Sequence, residues 1–474
     1  MSRDTKTIVI SFDGLGTPDW DIMMDKPNFS RFVEKAAFCL HVEAVYPSLT
    51  YPSHATISTG RWPKNHGVTN NKVTDFHHPI TADWYWYRKC VKGKTFYDVA
   101  AEKGMTSAAL LWPTAGGGAI TYNVPEIFQN RIWKNQIYMS LHNGCPQQLI
   151  LAARYGRYLL HGVGQPYLDT FVHRSALYLM NRYDPDLIMI HYCDLDHNRH
   201  RFGHDSKQAM DALERHDRRL GDWMSRMKAW QQEKEGRGVN WVILGDHSSL
   251  DENKGIRLNR LLAQQGLLKL RGKKIVSAKV FAKEAGGSCC LYGGEDLTRE
   301  LIFPKLRRTQ ILSDQERADL TKRLVRMLKD FSREHGDCIE AVYTGKEAGA
   351  MGADPNCLVM CEASLGYYFQ ESPQEPVIYG LGDSEYDPQG HRQRRLDRAT
   401  HGYSPRKPGY TTVFAVRTDK PRQQSNVQSG DLTAKEGFEL DRMRLIDEGP
   451  TIARMLGGDL PQADGRFLSE LFEG

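Results

Sequence analysis

"TIVISFDG", residues 7–14, is a run of apolar and β-branched side chains that stops at Asp13 and a glycine. A short run that is apolar throughout, rather than alternating, reads as a strand buried on both faces, as in a parallel sheet covered by helices. Three later stretches have the same form: "SAALLW" (107–112) before Pro113, "DLIMIHY" (186–192) before Asp194, and "VNWVILG" (239–245) before Asp246. Helical patterns lie between them, notably over 207–230, where Met210, Leu213, Leu220, Trp223 and Met227 fall at helical spacing. This alternation predicts an α/β fold with a doubly wound, mostly parallel sheet and helices on both faces. In such folds ligands bind beyond the carboxyl ends of the strands, the edge at which Asp13, the Asp194/Asp196 pair and Asp246 would stand.

The chain of 474 residues is long enough for a large catalytic domain with an insertion. Residues 250–400 break the alternation with short strand-like pieces ("IVSAKVFA", "SCCLYG", "CIEAVYTG", "NCLVMCEA") and one helix near 314–332, which predicts an inserted α+β subdomain. The catalytic core would then comprise 1–249 and 401–474. Its last part holds the strand "GYTTVFAVRTD", a polar loop over 417–437, and a closing helix, "LIDEGPTIARMLGG", with Pro450 in its first turn and Gly457 at its end.

Hydrophobic residues at 40% and charged residues at 26% are ordinary globular values and exclude wholesale disorder. The net charge of +5, part of it in "HRQRRLDR" (391–398), favours anionic substrates, but no basic-aromatic stripe marks a nucleic-acid site. No apolar stretch is long enough to span a bilayer or form a signal-peptide core, so no membrane partner is expected. Nine cysteines without metal-type spacing fit reduced thiols, Cys289 and Cys290 among them as buried packing, and a cytoplasmic location is expected.

"YPSLTYPSHATISTG" (46–60) places Thr50 between two prolines at the start of a helix, with Pro52 in the first turn and Gly60 beyond the end. Thr50 at or beside the N-cap would meet unsatisfied N–H groups and the positive end of the helix dipole. A hydroxyl there is either a cap or a nucleophile for phosphorus, and the second role needs metal ions to make it reactive at neutral pH. Candidate ligands are Asp196 and His200 in "DLDHNRH", Asp246 and His247 in "GDHSS", and His401 in "ATHGYSP", with Asp13 at the first strand end. Oxygen and imidazole donors suit zinc, with manganese or iron as alternatives. His66, His191, His197 and His204 compete for these roles, and spacing alone does not choose between His197 and His200. "WPTAGGG" (112–118) lacks the ending of a phosphate-binding loop and reads as a turn. Tyr51 and Trp112 could stack on a nucleobase or pack in the core.

Taken in order, "VISFDG", the 46–71 block ending "VTNN", "DLDHNRHRFG", "ILGDHSS" and "THGY" resemble the motif blocks of the type I phosphodiesterase/nucleotide pyrophosphatase branch of the alkaline phosphatase superfamily. The resemblance implies a hydrolase with two divalent ions, most simply zinc, one held by Asp13, Thr50, Asp246 and His247 and the other by Asp196, His200 and His401. It implies a covalent phospho-threonine intermediate on Thr50, a phosphate contact from Asn71 shared with the backbone N–H after Thr50, and His200 rather than His197 as ligand. The sequence departs from the common pattern at Ser53, at Ser248 and in "HYCDLD", which bears on substrate preference. His54, one turn along from Thr50, reads as a supporting or core residue. The expected substrate is a small phosphodiester or nucleotide. The alternatives are a phosphomonoesterase or phosphonate hydrolase of the same superfamily, or a catalytically inactive nucleotide-binding protein.

Overall fold

Eight strands form the central sheet of the computed structural model, which describes residues 5–75, 82–128, 130, 135–234, 237–297, 312–380, 397–420 and 432–473. Across the sheet they run Met443–Arg444, Ala36–Glu43, Thr412–Asp419, Gly238–Leu244, Thr5–Phe12, Leu187–Tyr192, Ser107–Leu110 and Tyr122–Val124. Every neighbouring pair is parallel except those made by Thr412–Asp419, which runs against both of its neighbours. The predicted doubly wound α/β class is the class observed, with a single reversed strand.

Side-chain alternation explains why helices cover both faces. Ile8, Ile10 and Phe12 join Ile188, Ile190, Trp241 and Ile243 on one face, under Leu213, Leu220 and Trp223 of the helix Lys207–Glu233. Val9 joins Leu187, Met189, Val242 and Leu244 on the other, under Ile57 of the helix Thr50–Thr59 and Ile452 of the closing helix Glu448–Met455. The predicted 207–230 helix is present and runs three residues further, capped by the Ser206 side chain, which accepts from the Ala209 N–H.

The three central strands end together. Ser11 pairs with both His191 and Leu244, and Phe12 with Tyr192. Asp13, the 193–196 segment and Asp246 therefore emerge side by side at one edge.

Between 250 and 400 the chain builds sheets of its own. Val280–Ala285, Ser288–Gly293, Val359–Ala363 and Ile339–Thr344 form an antiparallel sheet, and Leu324, Leu328 and Phe331 of the helix Asp314–Glu334 pack on it in a second apolar cluster. Ser313 and Glu316 make a capping box at that helix start. Leu250–Ile256 pairs with Gly366–Phe369, Ile378–Gly380 and Ala399–Thr400. Residues 391–396 of the basic run and 421–431 of the polar loop lie outside the described residues.

Candidate active site

Thr50 is the first residue of its helix, and Leu49, in extended conformation, is the N-cap. Its side chain is thus not a cap; the hydroxyl is left to face the strand edge, 3.2 Å from His247 Nε2. All ten residues of this helix are buried, so its position is set by packing on every side. Gly60 closes it in a left-handed conformation, φ 68°.

His247 follows Asp246 directly and is fully buried. Its Nδ1–H donates to the Ser248 carbonyl at 3.2 Å, which fixes Nε2 as the nitrogen with the lone pair. That lone pair faces Asp13 Oδ1 at 3.3 Å, Asp246 Oδ2 at 3.4 Å and the Thr50 hydroxyl. Asp246 Oδ1 is satisfied by the N–H groups of Gly14 and His247, both at 3.1 Å. Asp246 Oδ2 and Asp13 Oδ1 are buried with no hydrogen-bond partner.

A second group adjoins the first. His200 Nε2 lies 3.4 Å from Asp196 Oδ2, one helical turn apart on the helix Asp194–Phe202, and His401 Nε2 lies 3.8 Å from Asp196 Oδ1, itself buried and unpartnered. The His247 and His401 rings stack at 4.0 Å, joining the two groups. His401 owes its position to Gly402, whose φ of 87° and whose approach to the Ala285 carbonyl, where a Cβ would come within 1.7 Å, leave room for hydrogen alone.

These donors fit cations. Asp13, Asp196 and His247 present ligand atoms within 4.8 Å of one another, as do Asp196, His200 and His401. Lone pairs facing lone pairs in a buried site are unfavourable unless a positive charge stands between them. The protonation tendencies say the same. Burial, and then Asp196, raises the Asp13 carboxyl well above its ordinary range; burial, and then Asp13, does so for Asp246. Burial lowers His247 to about 3 and holds His401 well below its usual value, so both stay neutral, as ligands must. For His200 burial is outweighed by Asp196 and Asp397, and its value is raised.

Asn71 meets the helix start in a way that alters one expectation. Its Oδ1 accepts the Tyr51 N–H at 2.9 Å, so that N–H is already engaged; the contact orients the amide and leaves its NH₂ for a ligand oxygen. The adjoining Asn70 donates to the Glu284 carbonyl at 2.8 Å, which ties this loop to the 280–285 strand.

The competing histidines separate cleanly. His66 is a core residue bonded to Thr56, at 2.9 Å, and His204 is bonded to Ser249, also at 2.9 Å. His54 donates from Nδ1 to the Thr50 carbonyl at 2.8 Å, meets Ser11 Oγ through Nε2 at 3.0 Å, and lies 3.5 Å from Asp246 Oδ2, so it supports the site from behind. His191 was weighed only as a competitor, yet its Nε2 is 3.2 Å from Asp13 Oδ2, with Cys193 and the half-buried Glu126 beyond it. The available signal was its place at the end of a strand that neighbours Asp13. Tyr51 and Trp112 are fully buried, Trp112 donating to Ser58 Oγ at 3.1 Å, so both are core residues and neither offers a stacking face. The half-buried Trp84, packed edge-on to Tyr51 at 5.3 Å, is the nearby aromatic that sequence reading missed. The 112–118 segment is a turn, as expected, with Thr114 at φ 62°.

A fold of this kind with two adjoining sets of metal-type donors at its carboxyl edge defines a doubly wound α/β protein with a candidate two-cation site. The profile of the family described as type I phosphodiesterase / nucleotide pyrophosphatase matches residues 7–404, and the chain belongs to that family. Relatives include venom phosphodiesterase 2 of Crotalus adamanteus, 25% identical over 51% of this chain and 26% of that protein. The human bis(5'-adenosyl)-triphosphatase ENPP4 is 26% identical over 31% of this chain and 34% of that protein. The chain thus spans about a quarter to a third of the length of these relatives. Among solved structures, human ectonucleotide pyrophosphatase/phosphodiesterase 5 has the same fold, with a TM-score of 0.61 at 15% identity over 99% of this chain and 100% of that one. The murine protein, solved also as an inactive threonine-to-alanine form in complex with AMP, superposes with a TM-score of 0.59 at 15% identity over the same shares.

Proposed function

We propose that this chain is a two-metal phosphodiesterase/nucleotide pyrophosphatase that cleaves phosphodiester or pyrophosphate bonds through a phospho-threonine on Thr50. The observation that carries the proposal is the convergence of Thr50, Asp13, Asp246 and His247 beside Asp196, His200 and His401, with three buried carboxylate oxygens left unpartnered. Asp13, Asp246 and His247 would hold one ion with Thr50, and Asp196, His200 and His401 the other; zinc suits this mixed oxygen and nitrogen set. When bound, such ions supply Lewis acidity and lower the pKa of a hydroxyl.

Thr50 Oγ attacks phosphorus, the bond to the leaving oxygen breaks, and the alcohol or phosphate departs; water then attacks the phospho-threonine and frees Thr50. Asn71, with Oδ1 fixed by the Tyr51 N–H, presents its NH₂ to a phosphoryl oxygen. The helix N-terminus at Thr50 favours the anionic group. His54 and His191 brace the carboxylates from behind.

The relatives' names support a nucleotide as substrate. Two lesser proposals accompany this reading. The core is taken as 1–249 with 401–474 and the insertion as 250–400, supported by the separate sheets and second apolar cluster. A cytoplasmic location is supported by nine cysteines that all stand as free thiols.

Hydrolysis of bis-p-nitrophenyl phosphate against p-nitrophenyl phosphate, with and without chelator, tests the function. Thr50→Ala should lose about 10⁴-fold or more in rate while binding both ions. Full activity in Thr50→Ala would sink the mechanism, preference for the monoester would favour a phosphomonoesterase, and nucleotide binding without hydrolysis would favour an inactive binding protein.

A further inference from the structure

Ten large apolar side chains among the described residues are exposed, and eight of them fall between Ile137 and Tyr167. Six of the eight sit on two short helices, Gln136–His142 and Gln148–Tyr155, and on the turn Gly156–His161; Val163 follows that turn and Tyr167 opens the helix Tyr167–Tyr183. The helices are joined by Gln148, whose amide donates to the Ser140 carbonyl at 3.0 Å, and are anchored inward by Met139 and Leu151. With those inner positions filled, Ile137, Leu149 and Leu160 turn to solvent, Leu160 with 84% of its surface exposed. Concentrated exposure of this kind marks an interaction surface.

The charge of the segment narrows the partner. No aspartate or glutamate occurs between Glu126 and Asp169, and Asp169 is itself fully buried. Arg154 and Arg157 are exposed among the apolar side chains, stacked on Tyr178 and Tyr158. We propose that this face docks on a lipid bilayer surface carrying anionic headgroups, the apolar side chains entering the headgroup boundary and the arginines meeting lipid phosphates. A second copy of the chain is a poorer occupant, because a two-fold contact would set these arginines against their own copies without an acidic partner. None of the helices among the described residues is long and apolar enough to cross a membrane, so the contact is at the surface. The expectation of no membrane partner rested on the lack of a spanning segment, which does not bear on surface docking.

Co-sedimentation of the purified full chain with vesicles tests this, using phosphatidylcholine alone and an equal mixture of phosphatidylcholine and phosphatidylglycerol, at low and high salt. The chain should sediment with the mixed vesicles, less so in high salt. The double variant Ile137→Asp with Leu160→Asp should bind at least about tenfold more weakly at an unchanged thermal midpoint. Arg154→Glu with Arg157→Glu should lose the preference for phosphatidylglycerol. Failure to bind the mixed vesicles, or equal binding by wild type and the apolar double variant, would overturn the proposal. Equal binding to phosphatidylcholine alone would overturn the anionic preference. A dimer seen by light scattering and abolished by Leu160→Asp would give the face to a second copy instead.

Discussion

Replacing Asp246 by asparagine should stabilise the metal-free protein and weaken metal binding, two effects of opposite sign from one substitution. Asp246 Oδ1 accepts two backbone N–H groups, which the asparagine carbonyl keeps. Asp246 Oδ2 has no donor, and the amide NH₂ that replaces it would stand 3.4 Å from the His247 Nε2 lone pair, within reach of a new bond. Removing a buried carboxyl that must hold its proton to stay uncharged should raise the unfolding free energy by about 1–3 kcal/mol at neutral pH. The gain should depend on pH in a definite direction. Burial, and then Asp13, raises the folded-state pKa of Asp246, so the folded wild type retains a proton that the unfolded chain loses above about pH 4. Wild type therefore falls progressively behind the variant as pH rises from there. Urea titrations of both proteins in chelator, between about pH 4 and pH 8, measure this difference. With ions present the order should reverse, and competition with a chromophoric chelator should show affinity lower by about 100-fold or more. A metal-free variant less stable than wild type at every pH, or one that holds both ions as tightly, would refute the placing of a cation at that oxygen.

Gly402→Ala puts a Cβ 1.7 Å from the Ala285 carbonyl oxygen and in a left-handed backbone region, so the His401 loop must move. A loss of about 2–4 kcal/mol in stability is expected, with the Asp196–His200 site emptied first, read by metal analysis after dialysis; retention of both ions would refute it. Trp112→Phe removes the bond to Ser58 and part of a filled core, and should cost about 1–3 kcal/mol while leaving KM for nucleotide diesters unchanged. A KM raised tenfold at unchanged stability would restore the stacking role that burial denies it.

The three central strands were legible because both of their faces are covered, which makes them apolar throughout and ends them sharply at a polar residue. Ala36–Glu43 went unread, being incompletely buried with His41 exposed, lying near the sheet's edge and carrying a histidine and a glutamate. The reversal of Thr412–Asp419 was equally invisible, since a strand buried on both faces has the same composition in either direction. At the site, Asp13, Asp246 and His247 could be read from strand ends, whereas His191 and Glu126 gained their place from neighbours distant in sequence. The exposed apolar face over 137–167 could not be read either, because Leu151 and Leu149 are the same residue type and only packing decides which one is covered.

The sequence by itself determined the sheet class, the edge at which chemistry would gather and the residue types gathered there, because buried strands and helix starts leave local patterns. Only the tertiary structure decided that Asn71 takes the Tyr51 N–H, that Trp112 is buried, and that His247 and His401 stack to bring two donor groups together. Those outcomes are distances between segments up to hundreds of residues apart, set by how the sheets and helices pack, and no local pattern encodes them.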